Sequence, residues 1–180
     1  ARRTDFDEVP IKPQRVFKEI NRFFDDETVF VTTIGLNQML SSQLQDVYKP
    51  RHYLVPGGAG PLGWDLPAAI GAKVARPDKV VVDIVGDYGF GFCCEELAVA
   101  CMYDLPIIVV VLNDGHLGLI RQTEKYVYSM HYEVDTWYPD HKVGYPRLID
   151  FVKFAEAFGA AGERVERPQD IRGGLENAAR

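Results

Sequence analysis

Basic charge is in the minority in this 180-residue chain: 20 lysines and arginines stand against 26 aspartates and glutamates, for a formal net charge of −6 and a pI near 5.2. The basic residues are scattered rather than clustered, which argues against a nucleic-acid surface. Long apolar runs are also missing. None approaches the roughly 18 residues of a membrane helix, and the start Ala1-Arg2-Arg3-Thr4-Asp5 lacks the apolar stretch of a signal peptide. The expectation is a soluble, cytoplasmic protein with no membrane partner. Cysteine is scarce: Cys93, Cys94 and Cys101 are odd in number and lack metal-ligand spacing, so they are expected to be reduced residues of an apolar core. Hydrophobic residues, by contrast, make up 47% of the chain, enough for one domain with a real core.

That core follows an alternating pattern of strands and helices. Residues 1–14 are polar, contain Pro10 and Pro13, and read as an incoming linker. From about Pro13 to Phe24, Val16, Phe17, Ile20, Phe23 and Phe24 keep one helical face apolar. The β-branched Thr28–Ile34 predicts a strand, Gly35 breaks it, and Gln38–Val47 returns to helical spacing. Val55–Gly63 is too rich in glycine and proline for either and predicts a loop that approaches something closely. Leu66–Ala75 predicts a helix with Pro67 near its first turn. The Val-rich Lys79–Val85 and Ile107–Leu112 read as buried parallel strands, with a helix at about Cys94–Tyr103 between them and another running to Lys125. Tyr126–Arg147, with many aromatics and two prolines, predicts an irregular excursion. A helix at Leu148–Phe158, a short strand at Gly162–Val165 and a helix at Pro168–Ala179 complete the pattern. The fold class is α/β, a doubly wound, mostly parallel sheet flanked by helices. Ending on a helix with no closing strand suggests a domain cut short at its C-terminus.

Two acids follow directly on the Val-rich strands, Asp87 in Gly86-Asp87-Tyr88 and Asp114 in Asn113-Asp114-Gly115-His116. Both carboxylates should emerge at the carboxyl edge of one sheet, where open α/β folds bind ligands. Magnesium takes one or two carboxylates together with phosphate oxygens and water, so this spacing suits a metal-bound diphosphate. An ordinary helix N-cap at Asp87 and an ordinary turn at Asp114 account for the spacing equally well.

The flanking text adds a resemblance. Gly86–Phe90, Glu95–Ala98, Leu105-Pro106 and Leu112–Gly118 resemble the thiamine-diphosphate motif of the acetohydroxyacid synthase superfamily. Thr32–Leu36, Ala59–Trp64, Glu95–Val99 and Leu117–Gln122 are similar more closely to glyoxylate carboligases (tartronate-semialdehyde synthases), over nearly the whole chain. The resemblance implies that residues 15–180 form a diphosphate-binding domain of the thiamine-diphosphate-binding fold. It implies thiamine diphosphate and Mg²⁺ as cofactors, with Asp87 and Asp114 binding the metal through side chains and His116 through its carbonyl oxygen. The family usually has Asn at the place of Asp114 and mostly Gly at that of Tyr88, so both are departures. Backbone groups of Leu36, Asn37, Gly86, Tyr88, Gly89 and Leu117 would meet the diphosphate or its metal. Met39 matches the apolar wedge under the bent cofactor, Gly60 and Leu62 match the positions beside the aminopyrimidine, and Leu62, Leu119 and Ile120 would line the substrate pocket. Plain core packing is the alternative for Met39, Leu119 and Ile120.

By the same resemblance, the activity is decarboxylation of a 2-oxo acid, glyoxylate, and its joining to a second glyoxylate to give tartronate semialdehyde. The pyrimidine-binding domain of such enzymes and their central domain, where FAD can bind, are not recognisable in these residues. The chain should therefore supply half an active site within a homo-oligomer, and no catalytic proton-transfer residue is expected in it. An acetolactate synthase-like enzyme, a 2-oxo acid decarboxylase and a non-catalytic fragment of a split gene are the alternatives. His52, His131 and His141 are expected at the surface, Glu95-Glu96 points to different helix faces, and Arg121 suits a surface or interface better than a substrate clamp.

Overall fold

The computed structural model describes residues 3–130, 132, 134 and 149–180. Four parallel strands form one sheet in the order β2-β1-β3-β4: β1 is Val29–Thr32, β2 Tyr53–Leu54, β3 Val81–Gly86 and β4 Ile108–Leu112. The register pairs Phe30 with both Tyr53 and Val82, Ile84 with Val110, and Gly86 with Leu112. β1 and the first five residues of β3 are buried throughout, as central strands covered on both faces must be.

Each face is covered by helices whose apolar spacing the sequence carries. On one side α1 (Pro13–Phe23) brings Phe17 and Ile20, α2 (Leu36–Leu44) brings Leu40 and Leu44, and a C-terminal helix, Ile171–Ala178, brings Ile171 and Leu175 against Phe30, Val82, Ile84 and Ile108. On the other, α3 (Asp65–Ala75) lays Leu66, Ala69 and Ile70 over Val29, Val31, Val81 and Val85. Phe90 of α4 (Asp87–Phe92) stands edge-on to Phe151 and Phe154. The chain runs from β1 outward to β2, then crosses back to β3 and onward to β4. Its connections therefore diverge between β1 and β3, and that switch point opens a crevice at their carboxyl ends.

Several expectations need correction. α2 starts at Leu36, not Gln38, which places Leu36 and Asn37 in its first turn, and it stops at Leu44. The single helix expected over Cys94–Tyr103 is instead divided: α4 begins at Asp87, a 3-10 turn spans Cys94–Glu96, and α5 runs Leu97–Met102. The end of α4 falls at Cys93, where Gly63 packs so closely that a Cβ on it would lie 2.8 Å from the Cys93 sulfur. Gly162–Val165 is not a strand. Gly162 presses on Val152 of α7 (Phe151–Ala157), and Val165 seats against Gly174 of the C-terminal helix, α8. That segment is held by helix packing rather than by the sheet. His52 is buried at 5% exposure because its carbonyl accepts from Phe30 N of β1 at 2.9 Å. The short strand β2 has no signal in the sequence pattern. α6 (Gly118–Thr123) runs into a π-helical turn at Glu124–Tyr128, so the irregular excursion begins later than expected. The rest of it, including His131, Trp137, His141 and Arg147, lies almost wholly outside the described residues.

The three cysteines are free and only half-buried. Among the described residues no helix is long and apolar enough to cross a membrane.

Truncating Phe17, which has no exposed surface, leaves a cavity under the sheet, and Phe17→Ala should destabilise the domain by about 3–5 kcal/mol. Val74→Ala, on the outer side of α3 at 62% exposure, should change stability by less than about 0.5 kcal/mol. Urea denaturation of both variants checks the contrast.

Candidate functional site

Three strand ends supply the site, and a buried amide ties two of them together. Asn37, 6% exposed, donates from Nδ2 to Thr32 Oγ1 (3.1 Å), to Thr33 O (3.0 Å) and to Ile84 O (3.3 Å), while Thr32 Oγ1 donates to Ile84 O at 2.7 Å. The ends of β1 and β3 are thus pinned to one side chain. Its Oδ1 faces the two preceding loops: a Cβ on Gly35 would come within 2.4 Å of it, and one on Gly86 within 3.4 Å. Gly35 also has φ +139°, which L side chains rarely adopt. The sequence marks Asn37 for its backbone; its side-chain strut has no linear signature.

The two acids lie on neighbouring strand ends, because Gly86 pairs with Leu112 and the acids follow one and two residues later. Asp87, 5% exposed, opens α4. Asp114 is exposed; its Oδ1 accepts from His116 N at 3.1 Å, closing a tight turn around Gly115 at φ +71°. The His116 ring meets the Arg121 guanidinium. A Cβ on Gly118, the first residue of α6, would lie 2.9 Å from Leu36 and 3.1 Å from Asp114 Oδ2, so no larger residue fits between the α2 start and the Asp114 turn. Leu36, Asp114, His116, Gly118, Arg121, Gln122 and Lys125 line an open depression there.

The glycine-rich loop closes the other side of the crevice. Thr33 Oγ1 donates to Pro61 O at 2.6 Å, and Gly60, at φ +60°, packs on Ile34. Leu62 reaches Gly89, where a Cβ would lie 3.8 Å from its Cδ2 and 3.0 Å from Val85. Tyr88 is 41% exposed and stands edge-on to Phe92 with ring centroids 5.4 Å apart. Met39 (42%) and Ile120 (50%) are also exposed, whereas Leu119 is half-buried. The structure thus gathers Leu36, Asn37, Gly86, Asp87, Asp114 and His116 at the strand ends, with Gly60, Leu62 and Gly89 beside them, and leaves Met39 and Ile120 on exposed rims.

Charge and ligand chemistry narrow what this arrangement can hold. Among the described residues no three His, Cys, Asp or Glu side chains converge as a metal shell. Two carboxylates with a backbone carbonyl are hard oxygen donors. Burial pushes the Cys93 thiol up, with Glu95, Glu96 and Asp65 adding to it, so it is a neutral thiol and not a nucleophile.

Residues 33–180 match the family described as thiamine pyrophosphate enzyme, C-terminal TPP binding domain. The chain belongs to this family. It is 44% identical to a glyoxylate carboligase of Escherichia coli O157:H7 over 181 residues, covering 98% of this chain and 30% of that protein. It is 35% identical to a probable acetolactate synthase large subunit of Methanococcus aeolicus, covering 97% of this chain and 28% of the relative. A third relative, the acetolactate synthase isozyme 3 large subunit of Escherichia coli K12, is 34% identical over 93% of this chain and 28% of its own length. The chain spans about 30% of the length of these relatives. The strand-end crevice is therefore the crevice of a TPP-binding domain.

If Asn37 holds the strand ends through its NH₂ group, Asn37→Ala should cost about 1–3 kcal/mol in thermal or urea unfolding. Asn37→Asp, of the same shape, would face Thr33 O and Ile84 O with an acceptor and should cost at least as much. An Asp variant as stable as wild type would remove the strut.

Proposed function

We propose that this chain binds the diphosphate of thiamine diphosphate through Mg²⁺ and forms part of a carboligase that joins two glyoxylates to tartronate semialdehyde. The observation that carries the binding half is the pairing of Gly86 with Leu112, which sets Asp87 and Asp114 side by side at the switch point. The cradle fits the group: Gly118 keeps a side chain out of the space beside Asp114, and Gly35 keeps one out of the space at the start of α2, so backbone can approach a phosphate closely. Asp87 and Asp114 would hold the metal through carboxylate oxygens and His116 through its carbonyl. N–H groups of Leu36, Asn37, Tyr88, Gly89 and Leu117, at or next to the starts of α2, α4 and α6, would meet the phosphate oxygens. Asp114 is a charged donor and adds negative charge beside a diphosphate, so metal must be bound for the diphosphate to settle there.

When bound, thiamine diphosphate supplies the nucleophilic carbon and the electron sink for decarboxylation. The chain's own residues orient it. Gly60 and Leu62 would meet the aminopyrimidine, Met39 would support the bent cofactor from below, and Leu62, Leu119 and Ile120 would shape an apolar pocket that excludes water from the reacting carbon. The exposure of Met39 and Ile120 suits a site completed by another domain, the pyrimidine-binding portion of a second subunit in a homo-oligomer. Glyoxylate is favoured over pyruvate by the 44% identity to a glyoxylate carboligase against 34–35% to acetolactate synthases.

Calorimetric titration with thiamine diphosphate should show binding only with Mg²⁺. Asp87→Ala and Asp114→Ala should each weaken it at least tenfold, about 1.4 kcal/mol. Equal binding in the presence of a chelator would sink the metal clamp. In the intact protein, turnover of glyoxylate without acetolactate formation from pyruvate is expected; the reverse preference would move the protein to the acetolactate synthases.

A further inference from the structure

A second pair of acids lies beneath the site, with no part in the clamp. Asp83 sits in the middle of β3 with no exposed surface, between Val31 of β1 and Val109 of β4, its register partners. Asp65, 1% exposed, is the first residue of α3, directly after the Gly60–Trp64 loop. All four carboxylate oxygens are buried and have no hydrogen-bond partner among the described residues. The N–H groups of Asp65 and Leu66 approach the Asp65 carboxylate without reaching hydrogen-bond geometry.

The surroundings offer no counter-charge. Among the described residues neither acid forms an ion pair; Cys93 is a neutral thiol beside Asp65, and the charges beyond it, Glu95 and Glu96, have the same sign. Lys73 of α3 is spent on Pro77 O and Lys79 O. Two ionised carboxylates in such a place would carry a desolvation penalty and repel each other, and the escape open to them is a proton. Burial accordingly raises Asp65 to about 6. Burial and then the charge of Asp65 raise Asp83 well above the ordinary carboxylate range.

We propose that Asp65 and Asp83, on the same side of the sheet because α3 covers Val81 and Val85 on either side of Asp83, keep at least one proton in the folded protein and act as positioning residues, a latch that fixes the start of α3, and with it the Gly60–Trp64 loop, on β3. The loop ends where α3 begins, so separation of the pair would move Gly60 and Leu62 relative to Gly89. The latch itself does not depend on what the loop binds; its effect on cofactor affinity rests on the function proposed above.

The sign follows from raised carboxyl pKa values. Their stabilising share is complete below the ordinary aspartate value of 3.8, shrinks as the pH passes through about 6 for Asp65, and shrinks further as Asp83 loses its proton. The intact protein is compared with Asp83→Asn, and with Asp65→Asn in case the first fails to fold. Difference infrared spectra with ¹³C-labelled aspartate should show a protonated carboxylic C=O stretch in wild type at pH 7 that is missing from either Asn variant. The melting temperature of wild type should fall between pH 5 and pH 9 by about 3–5 °C per unit of raised pKa traversed, more steeply than in the variants, where the amide can donate to the remaining carboxylate. The Kd for thiamine diphosphate with Mg²⁺ should rise severalfold between pH 6 and pH 9 in wild type and less in Asp83→Asn. Absence of the protonated stretch at pH 7, or parallel melting curves, overturns the latch. If those two hold and thiamine diphosphate does not bind at all, the latch stands and the cofactor assignment falls.

Discussion

The end of β1 and the end of β3 must stay in register for the crevice to exist, and the Asn37 amide is what both are fastened to. The ladder between β1 and β3 pairs Thr32 with Ile84 but ends there, and the connections leave in opposite directions, so the chain path does not hold Thr33 beside Ile84. Asn37 Nδ2 does, with Thr32 Oγ1 as the second link to Ile84 O. Because the amide fills the space at the end of β1, Gly35 cannot carry a larger side chain without displacing it, whereas a Cβ on Gly86 would only touch it. The glycine that opens the start of α2 follows from the same packing that closes the sheet beneath it.

Much of this was legible from the residues alone, and the limits are specific. The Val-rich strands, the apolar face of α1 and the glycine-proline loop announce themselves through period and composition, and the two acids through their place after strands. What failed depended on non-local packing. Gly63 packs against Cys93 where α4 ends, a helix the pattern did not show, and Cys94–Tyr103 opens on a 3-10 turn before α5; Val165 against Gly174 draws into helix packing a segment whose composition suits a strand. His52 looks like a surface histidine in a polar stretch until the pairing of β1 with β2 buries it. In the same way Asn37 reads as one more polar residue after a glycine, since its partners stand up to 47 positions away.

Asp83 interrupts a run of valines and isoleucine that reads simply as a buried strand, and in one dimension nothing separates it from Asp87 four residues later. Burial does not separate them, for both are buried; surroundings do. Asp87 stands at a helix start on the carboxyl edge, where N–H groups and a cation can reach an ionised carboxylate. Asp83 stands between valines with another acid as its neighbour. The two solutions are complementary. Under the proposed function, negative charge would be useful at the edge, where a metal would need it, and harmful four residues deeper in the strand, where it would add to the repulsion felt by a diphosphate. In the function proposed above, a proton held at the deeper pair would remove one of those charges and leave the edge acids to a metal, so β3 and the helix start that follows it can carry acids with opposite electrostatic roles.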